Sequence, residues 1–233
     1  MGMYAVALVG LDGAGKTTQA RLLTERLRDA GYEATYVHPS NDLISLVPGG
    51  ESIKQRIVGW FDRPTLVSRA TRRLCMVLFG YWFALISLAL ARYRYRNRIV
   101  VFDRYRHQFL YDCYGPLAPW LIRTLPVPQQ TVWLTADLDT LIGRMSDRDR
   151  DTPRSYYRSA HRFHERLAET HGWARVKTDQ PIGNIESELF YTITRPEAHA
   201  ALSLTGRRKT THRPKPPDSG NNWVSARSYQ SVR

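Results

Sequence analysis

The chain has 233 residues, of which 42% are hydrophobic, so disorder throughout is excluded and one domain with a well-developed core is expected. Its 34 Lys and Arg residues against 21 Asp and Glu give a net charge of +13, which favours anionic partners: phosphate compounds, nucleic acid or an anionic membrane surface. The two cysteines, Cys75 and Cys113, form neither a disulfide framework nor a CxxC metal pair, and no signal peptide is predicted. These features predict a cytoplasmic location.

The predicted elements alternate between strands and helices. In chain order they are a strand at 4–10, a helix at 16–30, strands at 32–37, 98–102 and 131–134, helices from 138 and at 156–170, and a strand at 174–177. Residues 184–194 close the globular part. The strands are continuous apolar runs, which is typical of strands buried on both faces. The sequence therefore predicts an α/β fold with a parallel sheet covered by helices on both faces.

The composition changes at the end of this globular part, which we predict to cover residues 1–194. Residues 195–233 are rich in Pro, Ser, Thr and Asn and carry eight basic residues against two acidic ones. This composition predicts a basic, disordered tail. It fits either a solvated extension or a weak tether to an anionic surface such as nucleic acid or membrane.

The most specific motif lies between the first strand and the first helix. The segment ALVGLDGAGKTTQA contains G-x-x-x-x-G-K-T, whose glycines let backbone N–H groups surround phosphate oxygens at a helix N-terminus. Lys16 is expected to reach the β- and γ-phosphates of a nucleotide, and the Thr17 hydroxyl to ligate Mg²⁺. The residues expected to bind the nucleotide are Gly10, Asp12, Gly13, Ala14, Gly15, Lys16, Thr17 and Thr18.

A second metal ligand is expected at the end of a neighbouring buried strand. Asp103 follows the apolar run RIVVF and meets this requirement. A strand that ends in Asp can also be an ordinary turn, so the interpretation depends on the phosphate loop. Thr17 and Asp103 are the predicted metal ligands.

Two fragments together resemble the thymidylate kinases, which are nucleoside monophosphate kinases of the P-loop class: GLDGAGKTTQA, and an apolar strand followed by Asp103-Arg104-Tyr105. The resemblance covers residues 3–194 and implies a P-loop NTPase-type sheet, ATP and Mg²⁺ as cofactors, and phosphoryl transfer to a nucleoside monophosphate, with dTMP as the leading acceptor. It further implies that Asp12 faces the acceptor sugar and that Arg104 contacts the acceptor phosphate. The final KTDQP resembles the family's loop beside the adenine.

The same resemblance implies an Arg-bearing lid at about residues 144–158. The loop has Gly13 in place of an internal Arg, and family members of this type bring arginines from the lid instead. Arg144, Arg148 and Arg150 suit that role, and the first two share a helix face. Because aspartates alternate with these arginines, the segment also fits a self-paired, solvated helix end. The stripe Arg154, Arg158, Arg162 and Arg166 is interpreted as a solvated face.

The acceptor half departs from the family pattern in three places. VHPSND replaces the family's Arg-Glu-Pro-Gly segment, with Asp42 as a candidate replacement carboxylate. The family's base-reading Arg would fall near Trp82 or Phe83, and Gln108 is the one obvious match after Asp-Arg-Tyr. A missing base-reading group predicts altered or relaxed acceptor choice. The alternatives are a P-loop kinase of another small acceptor, and a non-catalytic nucleotide-binding or membrane-associated module.

An uncharged apolar stretch, LCMVLFGYWFALISLALA, covers residues 74–91. A single membrane span here would separate Lys16 from Asp103, which must meet at one nucleotide. We therefore predict a buried helix, with a homodimer contact as one role and shallow attachment to a bilayer surface as the alternative.

Overall fold

The computed structural model describes residues 2–42, 81, 85, 86, 88–145 and 152–195. The predictions for Arg148, for Arg150 and for the tail beyond Arg195 lie outside the described residues. So do those for Trp82, Phe83 and most of the 74–91 stretch. In the part of the chain that is described, no helix is long and apolar enough to cross a membrane.

The five described strands form one sheet in which every neighbouring pair is parallel. They are β1 (Tyr4–Val9), β2 (Ala34–Val37), β3 (Ile99–Asp103), β4 (Gln130–Thr135) and β5 (Ala174–Lys177). Their order is β2-β3-β1-β4-β5. The predicted parallel sheet is confirmed. Because β1 and β3 are neighbours, the segments that follow them meet at the carboxyl edge of the sheet, where ligands bind in folds of this type.

Helices connect the strands. They are α1 (Lys16–Asp29), α2 (Pro39–Asp42), α3 (Arg106–Tyr114), α4 (Ala118–Ile122), α5 (Leu138–Gly143), α6 (Arg154–His171) and α7 (Ile182–Thr194), with a 3₁₀ turn at Gly115–Leu117. Residues 81, 85, 86 and 88–94 are also helical and lead into β3.

The core lies on both faces of the sheet. Along β1, residues 4, 6 and 8 belong to one buried cluster with α1 and α7, while residues 5, 7 and 9 belong to another with Leu88, Ala91 and Ala168. This alternation follows from the period of two in a strand. Helices therefore cover both faces, as the apolar strands predict.

The segment between Arg106 and Ile122 carried no predicted element, yet it forms α3 and α4. Gly115 and Pro116 interrupt its pattern, and Pro119 lies in the first turn of α4, where a missing N–H is tolerated. The two helices are stabilised by a third apolar cluster shared with α6. Tertiary packing, which local sequence does not report, explains why these helices form.

Candidate functional site

The phosphate loop between β1 and α1 is shaped by two glycines. Gly10 and Gly13 have φ of +147° and +82°, in the region that favours glycine. A Cβ at Gly10 would lie 2.3 Å from the Leu134 carbonyl oxygen, and one at Gly13 would lie 2.2 Å from that of Leu141. The end of β4 and helix α5 therefore press against the loop, and neither position accepts a larger residue.

Lys16 lies at the start of α1 with its side chain under this loop. It is only 5% exposed, and its Nζ donates to the Leu11 carbonyl oxygen at 2.5 Å and lies 3.4 Å from Asp12 Oδ1. Burial lowers the pKa of Lys16 to about 8; the charge of Asp12 opposes the shift and that of Arg104 adds to it. An anionic phosphate beside Nζ would favour the charged ammonium.

Thr17 and Asp103 are in direct contact. The Thr17 Oγ1 donates to Asp103 Oδ2 at 2.6 Å, across 86 residues of sequence. Asp103 is fully buried, and among the described residues its Oδ1 has no hydrogen-bond partner. A buried carboxylate oxygen needs a donor or a cation. A hydroxyl and a carboxylate are hard oxygen ligands of the kind that Mg²⁺ prefers, so these residues fit the metal that the sequence predicts.

Tyr36 is a third residue at this carboxylate, and no sequence motif singles it out. Its phenol donates to the same Asp103 Oδ2 at 2.9 Å. The contact arises because β2 pairs with β3 in a register that sets Val37 opposite Phe102, one residue before Asp103. Burial, followed by the bond to Asp103, raises the pKa of Tyr36 to about 12, so the phenol stays a donor at neutral pH. Only the strand order could have identified this residue.

Arg104 and Asp12 meet at the mouth of the site. The Arg104 Nη2 donates to Asp12 Oδ1 at 2.5 Å, and both side chains are partly exposed. Arg104 has a φ of 66°, an uncommon backbone conformation for a residue with a side chain. An exposed ion pair contributes little to stability. A strained, partly exposed Arg beside the phosphate loop is instead typical of a functional position.

Of the three predicted lid arginines, the structure describes Arg144 but not Arg148 or Arg150. The exposed Arg144 donates through Nη1 to the Thr178 carbonyl oxygen at 2.8 Å, which joins the end of α5 to the loop after β5. Because Arg148 lies outside the described residues, the Arg-bearing lid stays a prediction. Arg154, Arg158, Arg162 and Arg166 are exposed on α6, as expected of a solvated face, and Arg154 pairs with Asp139.

A polar cluster on α3 and α6 joins Gln108, Asp112 and Tyr156. The Gln108 Nε2 donates to Asp112 Oδ1 at 2.9 Å and to the Tyr156 phenol oxygen at 2.8 Å, and the phenol itself donates to Asp112. Because a carboxylate only accepts, the Gln108 amide nitrogen must face it. The Gln108 Oε1 is then buried, without a hydrogen-bond partner among the described residues. The sequence pattern identified Gln108 as a candidate but did not identify its partners, Asp112 and Tyr156.

Two further polar residues, the candidate carboxylate Asp42 and the buried His164, make hydrogen bonds within their own segments. The Asp42 Oδ2 accepts a hydrogen bond from the His38 backbone N–H at 2.6 Å. This candidate replacement carboxylate therefore binds the backbone at the start of the short helix α2. His164 is buried and its Nδ1 lies 2.9 Å from the Ala160 carbonyl oxygen, and burial lowers its pKa to about 4. No group of three or more His, Cys, Asp or Glu side chains within the described ranges could hold a metal.

A phosphate loop after β1, with a buried carboxylate at the end of the adjacent β3, defines a P-loop nucleotide-binding protein. The family model "Thymidylate kinase" matches residues 8–189, most of the chain. The chain therefore belongs to the thymidylate kinase family, a family of phosphotransferases. It is also similar to a probable thymidylate kinase of Pyrococcus horikoshii, with 49% identity over 39 residues. That alignment covers 17% of this chain and 19% of the relative, so the chain spans about a fifth of the length of the curated relative that it matches.

Proposed function

We propose that this chain is an ATP- and Mg²⁺-dependent nucleoside monophosphate kinase that transfers the γ-phosphoryl group of ATP to dTMP, giving dTDP and ADP. The observation that carries the proposal is the contact between Thr17 and the buried Asp103 beside the phosphate loop. Family membership supports the reaction class. The consumption of ATP is consistent with the predicted cytoplasmic location.

The ATP side of the proposed site consists of backbone and fixed charge. The N-terminus of α1 and the loop N–H groups would bind the phosphates, and the Lys16 ammonium would move from the Leu11 carbonyl oxygen to the β- and γ-phosphates. Thr17 and Asp103 would hold Mg²⁺, which supplies positive charge to the transferring phosphoryl group when bound. Because the transition state spreads negative charge over the phosphoryl oxygens, positioning and electrostatics provide most of the catalysis.

The acceptor side of the proposed site begins at Arg104. Its guanidinium is partly exposed and, within the described part of the chain, pairs with the Asp12 carboxylate at the rim, so an acceptor phosphate can take the place of Asp12 as its partner. Asp12 would then be free to face the acceptor sugar. This exchange would place the acceptor phosphate beside the loop that holds the γ-phosphoryl group, as in-line transfer requires.

The base of the acceptor is proposed to lie near the cluster of Gln108, Asp112 and Tyr156. Among the residues that the structure describes, the buried Gln108 Oε1 has no hydrogen-bond donor. An N–H group of the ligand would supply one, and the thymine ring carries such a group at N3. Other nucleobases with a ring N–H meet the same requirement. A kinase of another small acceptor is therefore the second candidate, favoured by the absence from the sequence of the family's base-reading Arg.

A coupled ADP-release assay over a panel of nucleoside monophosphates tests the proposal. Turnover with dTMP supports it as stated, and activity confined to a different acceptor supports the second candidate. ATP binding without turnover on any acceptor would refute both and favour a non-catalytic module. The predicted homodimer and the contacts of the basic tail with anionic surfaces are separate proposals, tested by sedimentation and by vesicle binding of the full chain.

A further inference from the structure

We propose that Tyr36 is a positioning residue, which orients the Asp103 carboxylate so that one oxygen is held by the protein and the other faces the metal. This inference rests on the proposed Mg²⁺-dependent function. It assigns to a β2 side chain a role that the phosphate-loop motif does not contain.

The two carboxylate oxygens of Asp103 differ in their hydrogen bonds. Oδ2 accepts two hydrogen bonds, from Thr17 Oγ1 at 2.6 Å and from the Tyr36 phenol at 2.9 Å. Oδ1, equally buried, has no partner among the described residues. Two donors from different elements, one on α1 and one on β2, fix the rotation of the carboxylate about its Cβ–Cγ bond. The remaining oxygen therefore has one defined direction in which to accept a metal-bound water or the metal itself.

The direction of the Tyr36 hydrogen bond is set by the carboxylate that receives it. A carboxylate has acceptors only, so the phenol must direct its single proton at Asp103 Oδ2. The Arg21 guanidinium carbon lies 5.4 Å from the centre of the Tyr36 ring, so this cation packs against the ring beside the hydrogen bond.

The hydrogen bond from Tyr36 is needed because Thr17 would have to contact both Asp103 and the metal. If the Thr17 hydroxyl also bound the metal, its position would be set by the metal as well as by Asp103. Tyr36 is anchored in the sheet and would not itself bind the metal, so it would hold Oδ2 in the same place with and without metal. Groups that orient a metal ligand in this way commonly change metal affinity by about tenfold or more when removed.

The test measures metal binding without turnover. Mn²⁺, whose free form is detected by electron paramagnetic resonance, is titrated into the full chain with a non-hydrolysable ATP analogue. We expect Tyr36→Phe to weaken Mn²⁺ binding about tenfold while leaving metal-free binding of the analogue unchanged. Tyr32→Phe is the matched control, since Tyr32 is also half-buried and lies just before the amino end of the same strand. Circular dichroism melting checks that both variants fold.

The outcomes separate this inference from the proposed function. Equal Mn²⁺ affinity for wild type and Tyr36→Phe would overturn the role of Tyr36 alone. Loss of analogue binding in the absence of metal would also overturn it, because Tyr36 would then support the loop generally. Failure of the wild-type chain to bind Mn²⁺ with the analogue would refute the proposed metal-dependent function itself. Arg21→Met, which removes the cation packed against the Tyr36 ring, should give a smaller loss than Tyr36→Phe in the same titration.

Discussion

The Thr17 hydroxyl donates to the Asp103 carboxylate at 2.6 Å, which joins the start of the first helix to the end of the third strand. This contact exists because β1 and β3 are parallel neighbours, so that the segments following them leave the sheet at the same edge. The order of the strands thus brings a hydroxyl and a carboxylate from distant parts of the chain into one oxygen-lined position beside the phosphate loop.

Replacement of Lys16 by Ala should abolish most of the transfer activity. The buried ammonium is a fixed positive charge directly under the loop, and the loss of one such preorganised donor lowers kcat by about 100- to 1000-fold. The ADP-release assay measures this effect, with Arg162→Ala on the exposed face of α6 as the control. Near-normal turnover of Lys16→Ala would refute the assignment of the phosphate loop.

Nucleotide binding should weaken as the pH rises above about 8. Burial lowers the pKa of Lys16 to about 8 in the ligand-free protein, and a bound phosphate should raise it by favouring the ammonium. The bound state then carries more protons than the free state above pH 8, so affinity falls as pH increases through that range and binding takes up protons. Calorimetry in buffers of different ionisation enthalpy measures this uptake, which should be absent in Lys16→Met.

Asp103→Asn should lower activity and raise the Mg²⁺ concentration needed for half-maximal rate. The amide keeps the shape of the side chain but removes the charge that faces the metal, a change we expect to cost about tenfold or more in metal affinity. Rates measured over a Mg²⁺ titration test this, with Asp29→Asn at the exposed end of α1 as the control. An unchanged Mg²⁺ profile would remove Asp103 from the site.

Gly13→Ala should destabilise the protein by about 3 kcal/mol or more, because the new methyl group would meet the Leu141 carbonyl oxygen at 2.2 Å and the backbone has φ +82°. Gly183→Ala is the matched control, since a Cβ there meets nothing within 4 Å and the residue lies in helix α7, where Ala is favoured. Urea denaturation gives both free energies of unfolding. Equal stability of the two variants would contradict the close approach of α5 to the loop.

Gln108→Leu should raise the KM for the acceptor by about 5- to 100-fold and leave the KM for ATP unchanged. The substitution keeps the size of the side chain but removes the buried carbonyl oxygen that we propose pairs with the base. The KM for ATP in the same variant is the internal control. If both KM values rise together, the side chain supports α3 rather than acceptor choice.

The proximity of the phosphate loop to Asp103 could be predicted from sequence because each of the two features is encoded locally. The spacing of Gly10, Gly15, Lys16 and Thr17 carries its own mechanism, and the apolar run before Asp103 identifies a strand end. The strands themselves are continuous apolar runs, which predict a parallel sheet. What these patterns lack is the order of the strands in the sheet.

The missed features depend on that order and on packing. Tyr36 reaches Asp103 only because β2 lies beside β3, and the partners of Gln108 come from one helix turn and from α6, 48 residues away. Likewise, α3 and α4 form in a segment with Gly and Pro interruptions because α6 covers their apolar side chains. The local periodicity of a sequence contains no information about contacts between distant segments, so sequence patterns alone did not identify them.

The most direct test of the central claim is to follow ATP, dTMP and Mg²⁺ by ³¹P nuclear magnetic resonance in the presence of the purified chain. We expect dTDP and ADP to appear in equal amounts, and neither to form when Mg²⁺ is chelated or when Lys16 is replaced by Ala. If ATP binds but no diphosphate product forms from dTMP or from any other nucleoside monophosphate, the claim that this chain is a nucleoside monophosphate kinase is wrong.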